Sequence, residues 1–202
     1  MSRTLLALDV AVKAVTLGLL ALALARPDLP QFQGKAFAGR ALVYPIALFV
    51  VPVVWAMFYR RRMPFPVAAD ILIGLPFLID MAGNALGLYD SVDWWDDANH
   101  LCNWALHTAA IGLLLRETAL AAPTRAGLGI AWAASTAIIW ELAEYVAFVP
   151  DSPEASTAYA DTLGDLALGL LGGTIASVVV AWLPSRSREP GAGNGAPARS
   201  VR

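Results

Sequence analysis

The sequence has little charge and almost no cysteine. Charged residues make up only 15% of the 202 positions and apolar residues 58%, with a mean hydropathy of +0.60. Soluble domains usually carry about 25% charged residues. The single cysteine, Cys102, excludes an internal disulfide and a thiolate-rich metal site. The sequence also lacks a basic patch of the nucleic-acid-binding type, so nucleic acid is not an expected partner.

Long apolar runs take up most of the chain. Several reach the roughly 20 residues that a helix needs to cross a lipid bilayer. We therefore predict an all-α polytopic membrane protein, with about six transmembrane helices in one bundle over residues 1–183. The predicted spans are 4–25, 41–59, 66–87, 98–115, 126–148 and 161–183. Residues 184–202 are rich in Pro, Gly, Ser, Ala and Arg, which predicts a disordered cytoplasmic tail.

Lys and Arg are distributed unevenly between the loops. If both termini are cytoplasmic, ten of these residues lie on cytoplasmic segments and three lie on the outer side. The ten are Arg3, Arg60, Arg61, Arg62, Arg116, Arg125, Arg186, Arg188, Arg199 and Arg202, and the three are Arg26, Lys35 and Arg40. The positive-inside rule therefore predicts cytoplasmic termini.

The first predicted span contains two charged residues. Its Ala23-Leu24-Ala25 ending resembles a signal-peptidase site, but Asp9 and Lys13 interrupt the apolar run, which favours a retained helix. Their four-residue spacing places them on one helix face, where they can form an ion pair. Lys13 is the only cation inside a predicted span.

Acidic and imidazole side chains occur near the predicted outer ends of four spans. They are Asp80 in the third span, Asp96, Asp97 and His100 in or beside the fourth, Glu141 and Glu144 in the fifth, and Asp161 and Asp165 in the sixth. Charged residues within a membrane normally face the interior of the helix bundle. We therefore predict that these side chains meet in one site on the outer side.

The face of each helix supports this prediction. One face of the fourth span carries a polar stripe of Asp96, His100, Asn103 and His107. The interpretation we favour for His107 is a hydrogen-bonded interior histidine. The sixth span carries a face of small residues, Gly169, Gly172, Gly173 and Ala176, which predicts close approach of another helix.

A dense group of carboxylates needs compensating positive charge. Either several of the acids are protonated or a divalent cation is bound, because like charges at close range disfavour ionisation. Oxygen ligands together with imidazole suit Mg²⁺, Mn²⁺, Fe²⁺ or Zn²⁺. We predict one or two divalent ions, with Asp97 and His100 as catalytic residues that move protons. The predicted metal ligands are Asp80, His100, Glu141, Glu144, Asp161 and Asp165.

Three motifs carry a resemblance to a known family. They are Asp96-Asp97-Ala98-Asn99-His100, Trp140-Glu141-Leu142-Ala143-Glu144-Tyr145, and Asp161-Thr162-Leu163-Gly164-Asp165 followed by Gly169 and Gly172-Gly173. In this order they resemble the YjdF-like bacterial membrane proteins of unknown function. More loosely, they are similar to VanZ-like membrane proteins, which are associated with glycopeptide-antibiotic resistance. The resemblance implies a multi-pass protein of the bacterial inner membrane, but no particular reaction.

Three functions are compatible with these features. The first is a metal-dependent hydrolase or transferase that acts on a lipid or a lipid-linked substrate. The second is a proton-coupled transporter, because Asp70 and Asp80 lie at different depths on either side of Pro76. The third is a non-catalytic accessory protein whose acids bind a basic segment of a partner.

Overall fold

The structure is a computed structural model that describes residues 2–147 and 153–183, and the predicted tail, 184–202, lies outside these residues. The described residues form seven α-helices and no strands, which confirms the all-α prediction. The helices are α1 (Arg3–Ala25), α2 (Phe37–Val54), α3 (Val67–Ala85), α4 (Leu88–Ser91), α5 (Trp95–Leu115), α6 (Ala122–Ala147) and α7 (Ala158–Trp182). Short 3₁₀ turns cover Pro30–Phe32 and Pro153–Ser156, and a π-helical turn, Trp55–Tyr59, continues α2.

Five helices are long and apolar enough to cross a membrane, which confirms a polytopic helical membrane protein. They are α1, α2 with its π-helical turn, α3, α6 and α7. Helix α5 has 21 residues, which is sufficient length, but it does not reach the hydropathy of the other five. Its first half carries the polar stripe that the sequence places on one face. The fourth predicted span, 98–115, is therefore helix α5, in which the polar residues Asn99 and His100 are buried within the bundle.

The helices pack as two groups that meet along one contact. Helices α1, α2 and α3 pack against one another and form the N-terminal group. Helices α5, α6 and α7 do the same and form the C-terminal group, and α3 against α5 joins the two. Side chains such as Leu42, Ile46 and Val146 are exposed on the outer faces, as expected for residues that contact lipid.

Helices α5 and α7 approach each other closely because α7 presents glycines to α5. A Cβ atom at Gly172 would overlap the carbonyl oxygen of Leu101, and one at Gly169 would overlap the indole ring of Trp104. A side chain at either position would push the two helices apart. The close approach predicted from the small residues of this face is therefore confirmed.

The N-terminal group contains a buried ion triad. Lys13 Nζ donates to Asp9 Oδ1 at 2.5 Å and to Asp70 Oδ2 at 2.6 Å. The predicted pair on α1 is therefore confirmed, and Asp70 of α3 joins it. All three side chains are buried, so the triad fixes α1 against α3.

Candidate functional site

A small polar cavity lies where α3, α5 and α6 meet beside the first turns of α2. Its volume is about 70 Å³. It is lined by Arg40, Tyr44, Pro76, Phe77, Asp80, Tyr89, Asp96, Asn99, His100, Asn103, Trp104, His107, Trp140 and Glu144. The polar stripe of α5 therefore faces the cavity, and acids from three helices reach it.

His100 is the centre of the acidic cluster beside this cavity. The imidazole is only 7% exposed. Its Nε2 atom lies 3.7 Å from Asp165 Oδ1 and 3.8 Å from Asp96 Oδ1, and its Nδ1 atom lies 3.6 Å from Glu141 Oε1. These distances exceed the 2.7–3.2 Å typical of an N–H···O hydrogen bond. The ring is thus surrounded by carboxylates that it does not directly bond.

Two buried atoms of this cluster lack a hydrogen bond. Within the described residues, neither Nδ1 of His100 nor Oε1 of Glu141 has a partner. Leaving a buried polar atom unsatisfied costs about 1–3 kcal/mol. Such atoms in a native protein call for an explanation, and an ion or a water between them is the common one.

The ligand atoms of the cluster are close enough to hold an ion. Two groups meet this condition, Asp96 with His100 and Asp165, and His100 with Glu141 and Glu144, and in each the ligand atoms lie within 4.8 Å of one another. Metal–ligand bonds of about 2.0–2.2 Å place two ligands of one ion up to about twice that distance apart. His100 belongs to both groups, so it connects all four carboxylates.

Helical spacing and close packing bring these residues together. Asp96 and His100 are four residues apart on α5, and Glu141 and Glu144 are three apart on α6, so each pair shares a helix face. Asp165 lies about two turns into α7. Since the glycines of α7 let α5 approach closely, Asp165 comes within reach of His100.

Asp80 lies in a different environment, although it lines the same cavity. Its carboxylate accepts from Arg40 Nε at 3.0 Å, Arg40 Nη2 at 3.3 Å, Tyr44 Oη at 2.5 Å, Tyr89 Oη at 3.0 Å and Asn84 Nδ2 at 3.1 Å. Both oxygens are therefore satisfied. Asp80 lies in neither group of candidate metal ligands.

Sequence reasoning missed the partner of Asp80. Lys13 was expected to be the only cation inside a span, and this is wrong, because α2 begins at Phe37 and includes Arg40. The predicted span began at Ala41, one residue after Arg40. The useful signal was the four-residue spacing of Arg40 and Tyr44, which places both on the face that meets Asp80.

Tyr89 comes from the short helix between α3 and α5. Burial, reinforced by the charge of Asp80, raises the pKa of the Tyr89 phenol well above its ordinary value. The hydroxyl therefore stays protonated and donates to Asp80. This bond ties α4 to the end of α3 on the side of the cavity where Asp96 lies.

Two predicted site residues lie at the edge of the cluster. Asp97 and Asp161 are exposed in the first turns of α5 and α7. Neither belongs to the two groups of candidate ligands. Asp96, His100, Glu141, Glu144 and Asp165 are thus the residues that the structure brings together.

The comparisons with known proteins support the membrane assignment. Over residues 10–186 the sequence matches the family described as "Predicted membrane protein (DUF2238)". This match confirms the resemblance to YjdF-like membrane proteins, while the looser similarity to VanZ-like proteins stays a prediction. No curated protein and no solved structure matches the chain.

Proposed function

We propose that the cluster around His100 binds a divalent metal ion. The chain itself belongs to the DUF2238 family of predicted membrane proteins. The bound ion would activate water for hydrolysis or group transfer on a lipid or a lipid-linked substrate. The observation that carries this proposal is the pair of buried, unsatisfied atoms, Nδ1 of His100 and Oε1 of Glu141, 3.6 Å apart within the described residues. One ion could bond both.

The donor set favours particular ions. Carboxylate oxygens with one imidazole suit Mg²⁺, Mn²⁺, Fe²⁺ or Zn²⁺. The charge of the ion would also offset carboxylates that otherwise repel one another. Of the four carboxylates near His100, those that do not bind the ion can accept a proton from the activated water.

Two residues of the proposed site exchange protons. Glu144 lines the cavity and can take a proton from a water molecule held there. Asp97 is exposed beside Asp96, so it can pass protons between the cluster and the solvent. His100, between the two groups of acids, would hold the ion.

The arrangement of charge supports an orientation. In the C-terminal group the acids lie where α5 and α7 begin, and Arg116 and Arg125 lie at the opposite end. Arg125 Nη2 donates to the carbonyl of Ala181 at the end of α7, 2.8 Å away. By the positive-inside rule, the arginine end faces the cytoplasm and the acidic site faces outward. This gives a multi-pass bacterial inner-membrane protein with cytoplasmic termini.

Metal analysis of the purified protein tests the proposal. The wild-type chain, reconstituted with Mg²⁺, Mn²⁺, Fe²⁺ or Zn²⁺ and then desalted, is expected to retain at least one of these ions. The Glu141→Gln variant should lose it, because it replaces the carboxylate that faces Nδ1 of His100. Asp90→Asn is the matched control, since Asp90 is an exposed carboxylate that pairs only with Lys35 among the described residues. A wild type that retains none of the four ions would overturn the proposal.

A second measurement separates the enzyme from the transporter. Metal-loaded protein is incubated with extracted bacterial lipids, and products are followed by mass spectrometry with and without a chelator. A product that requires both the metal and Glu141 supports the enzyme. Metal-dependent proton flux into proteoliposomes, without a product, would assign the site to transport instead.

A further inference from the structure

Two side chains that line the cavity each carry a buried acceptor atom with no hydrogen-bond partner among the described residues. One is the side-chain oxygen of Asn103. Asn99 Nδ2 donates to the carbonyl of Trp95 at 2.6 Å, so Asn99 Oδ1 is left to accept from Asn103 Nδ2 at 3.3 Å. This chain fixes the orientation of the Asn103 amide. Its oxygen is buried at the cavity and finds no partner among the described residues.

The second acceptor is a nitrogen of His107. Nε2 of His107 is buried and has no hydrogen-bond partner within the described chain. The ring lies near the backbone of Ile73, in the part of α3 that precedes Pro76. In the neutral tautomer that carries its proton on Nδ1, Nε2 presents a lone pair.

The charge around the cavity is negative. Arg40 is offset by Asp80, to which it is bonded. The cluster around His100 contributes four carboxylates. Two of those carboxylates, Asp96 and Glu144, line the cavity itself. An anionic group such as a phosphate would be repelled here, whereas a cation would be attracted.

The walls of the cavity are aromatic. They are formed by Tyr44, Phe77, Tyr89, Trp104 and Trp140. The face of an aromatic ring attracts a cation within about 6 Å by about 0.5–2 kcal/mol. Acceptors, negative charge and aromatic walls are the features that recognise an ammonium group, because such a group carries three N–H donors and one positive charge.

We propose that this cavity binds a protonated primary amine. The volume of about 70 Å³ exceeds the roughly 10–15 Å³ that one water needs by the same kind of measure, so it leaves room for an ammonium group with its adjoining carbon. Asn103 Oδ1 and His107 Nε2 accept two of the N–H donors, and Glu144 or Asp96 accepts the third. Resting on the proposed function, this inference means that the substrate carries an amine beside its reacting bond.

Methylammonium is the probe that tests the inference. Trp104 and Trp140 line the cavity, so intrinsic fluorescence of the detergent-solubilised, metal-loaded protein reports binding. A saturable change is expected with methylammonium chloride and none with sodium acetate at equal ionic strength. If methylammonium gives no saturable change, or acetate gives the same one, the cavity holds only water and the inference is overturned.

Substitutions of Asn103 and His107, both on α5, test whether methylammonium binds in the cavity. Asn103→Leu removes one acceptor of a charged donor, a bond worth about 1.5–3 kcal/mol, and is expected to weaken methylammonium binding at least about tenfold. His107→Phe should have a similar effect and provides a second variant if the first does not fold. Cys102→Ser is the control, because Cys102 is exposed on the same helix. Wild-type affinity for methylammonium in both Asn103→Leu and His107→Phe would contradict the inference.

The metal content of the same samples separates this inference from the proposed function. Asn103→Leu should retain the ion that Glu141→Gln loses. If the wild type binds methylammonium but retains no ion, the amine site stands and the metal-based function fails. If the wild type retains the ion and methylammonium does not bind, the proposed function stands and the amine site fails.

Discussion

The N-terminal and C-terminal helix groups differ in whether their buried acids are paired with a cation. In the N-terminal group each buried acid has a cation: Asp9 and Asp70 share Lys13, and Asp80 is bonded to Arg40. In the C-terminal group, the imidazole of His100 is the only basic side chain within 4 Å of the buried acids Glu141 and Asp165 among the described residues. Both groups bury carboxylates, but only the first supplies the compensating charge.

This difference separates structural from functional acids. A paired acid contributes to packing, because its charge is already neutralised by a residue of the chain. A group of acids that lacks a cation leaves the compensating charge to protons, a metal ion or a ligand. The C-terminal group is therefore the place to look for binding, and the N-terminal group is its support.

The largest effect should come from removing the shared cation of the N-terminal group. Lys13→Met leaves Asp9 and Asp70 buried without compensation, which should lower the free energy of unfolding by about 3–5 kcal/mol. Unfolding in mixed detergent micelles measures it. Lys35→Met is the control, because its partner Asp90 is exposed, so loss of this pair should cost less than about 1 kcal/mol. Equal losses in the two variants would remove the structural role assigned to the triad.

A smaller effect should come from separating α5 and α7. Gly172→Ala places a Cβ atom against the carbonyl of Leu101, which is backbone and cannot rotate away. Overpacking of this kind should lower the free energy of unfolding by about 1–3 kcal/mol and weaken metal retention, because Asp165 moves away from His100. The matched control is Gly164→Ala, where an added Cβ would meet no described atom within 4 Å. Wild-type stability and metal retention in Gly172→Ala would show that the close approach is not needed.

The smallest effect, and one of opposite sign, should come from neutralising an acid of the C-terminal group. In metal-free protein, Glu141→Gln removes one of several like charges, so the free energy of unfolding should rise by up to about 1 kcal/mol. The same micelle unfolding experiment, with chelator present, measures it. A loss of several kcal/mol, as expected for Lys13→Met, would show that the two groups do not differ in the way described.

The helices were largely predictable from the sequence because hydropathy and charged flanks determine where a chain crosses a bilayer. The depth of each acid along its helix was also available, which is why Glu141, Glu144 and Asp165 could be grouped with His100. What the sequence cannot supply is the identity of neighbouring helices. Asp80 was grouped with the same acids, and only the packing of α2 against α3 reveals that Arg40 reaches it.

The start of a helix limited the site prediction in a second way. Arg40 lies at the boundary between a loop and an apolar run, where no cap residue marks the first turn. Asp97 and Asp161 were included in the predicted site but lie at its edge. The helix dipole favours acids in a first turn whether or not they face a site, so their position alone could not exclude them. Burial, which requires the packed structure, distinguishes them from Asp165.

The close approach of α5 to α7 also bears on how the protein enters the membrane. Helix α5 alone has too many polar residues to partition well into lipid, whereas α7 is strongly apolar. The glycine face of α7 covers the backbone of α5 at Leu101, yet α7 begins about forty residues after α5 ends. During synthesis we therefore expect α5 to stay in a polar or protein-lined environment until α7 has been made and can pack against it. The two helices would then leave the insertion machinery together, as one unit.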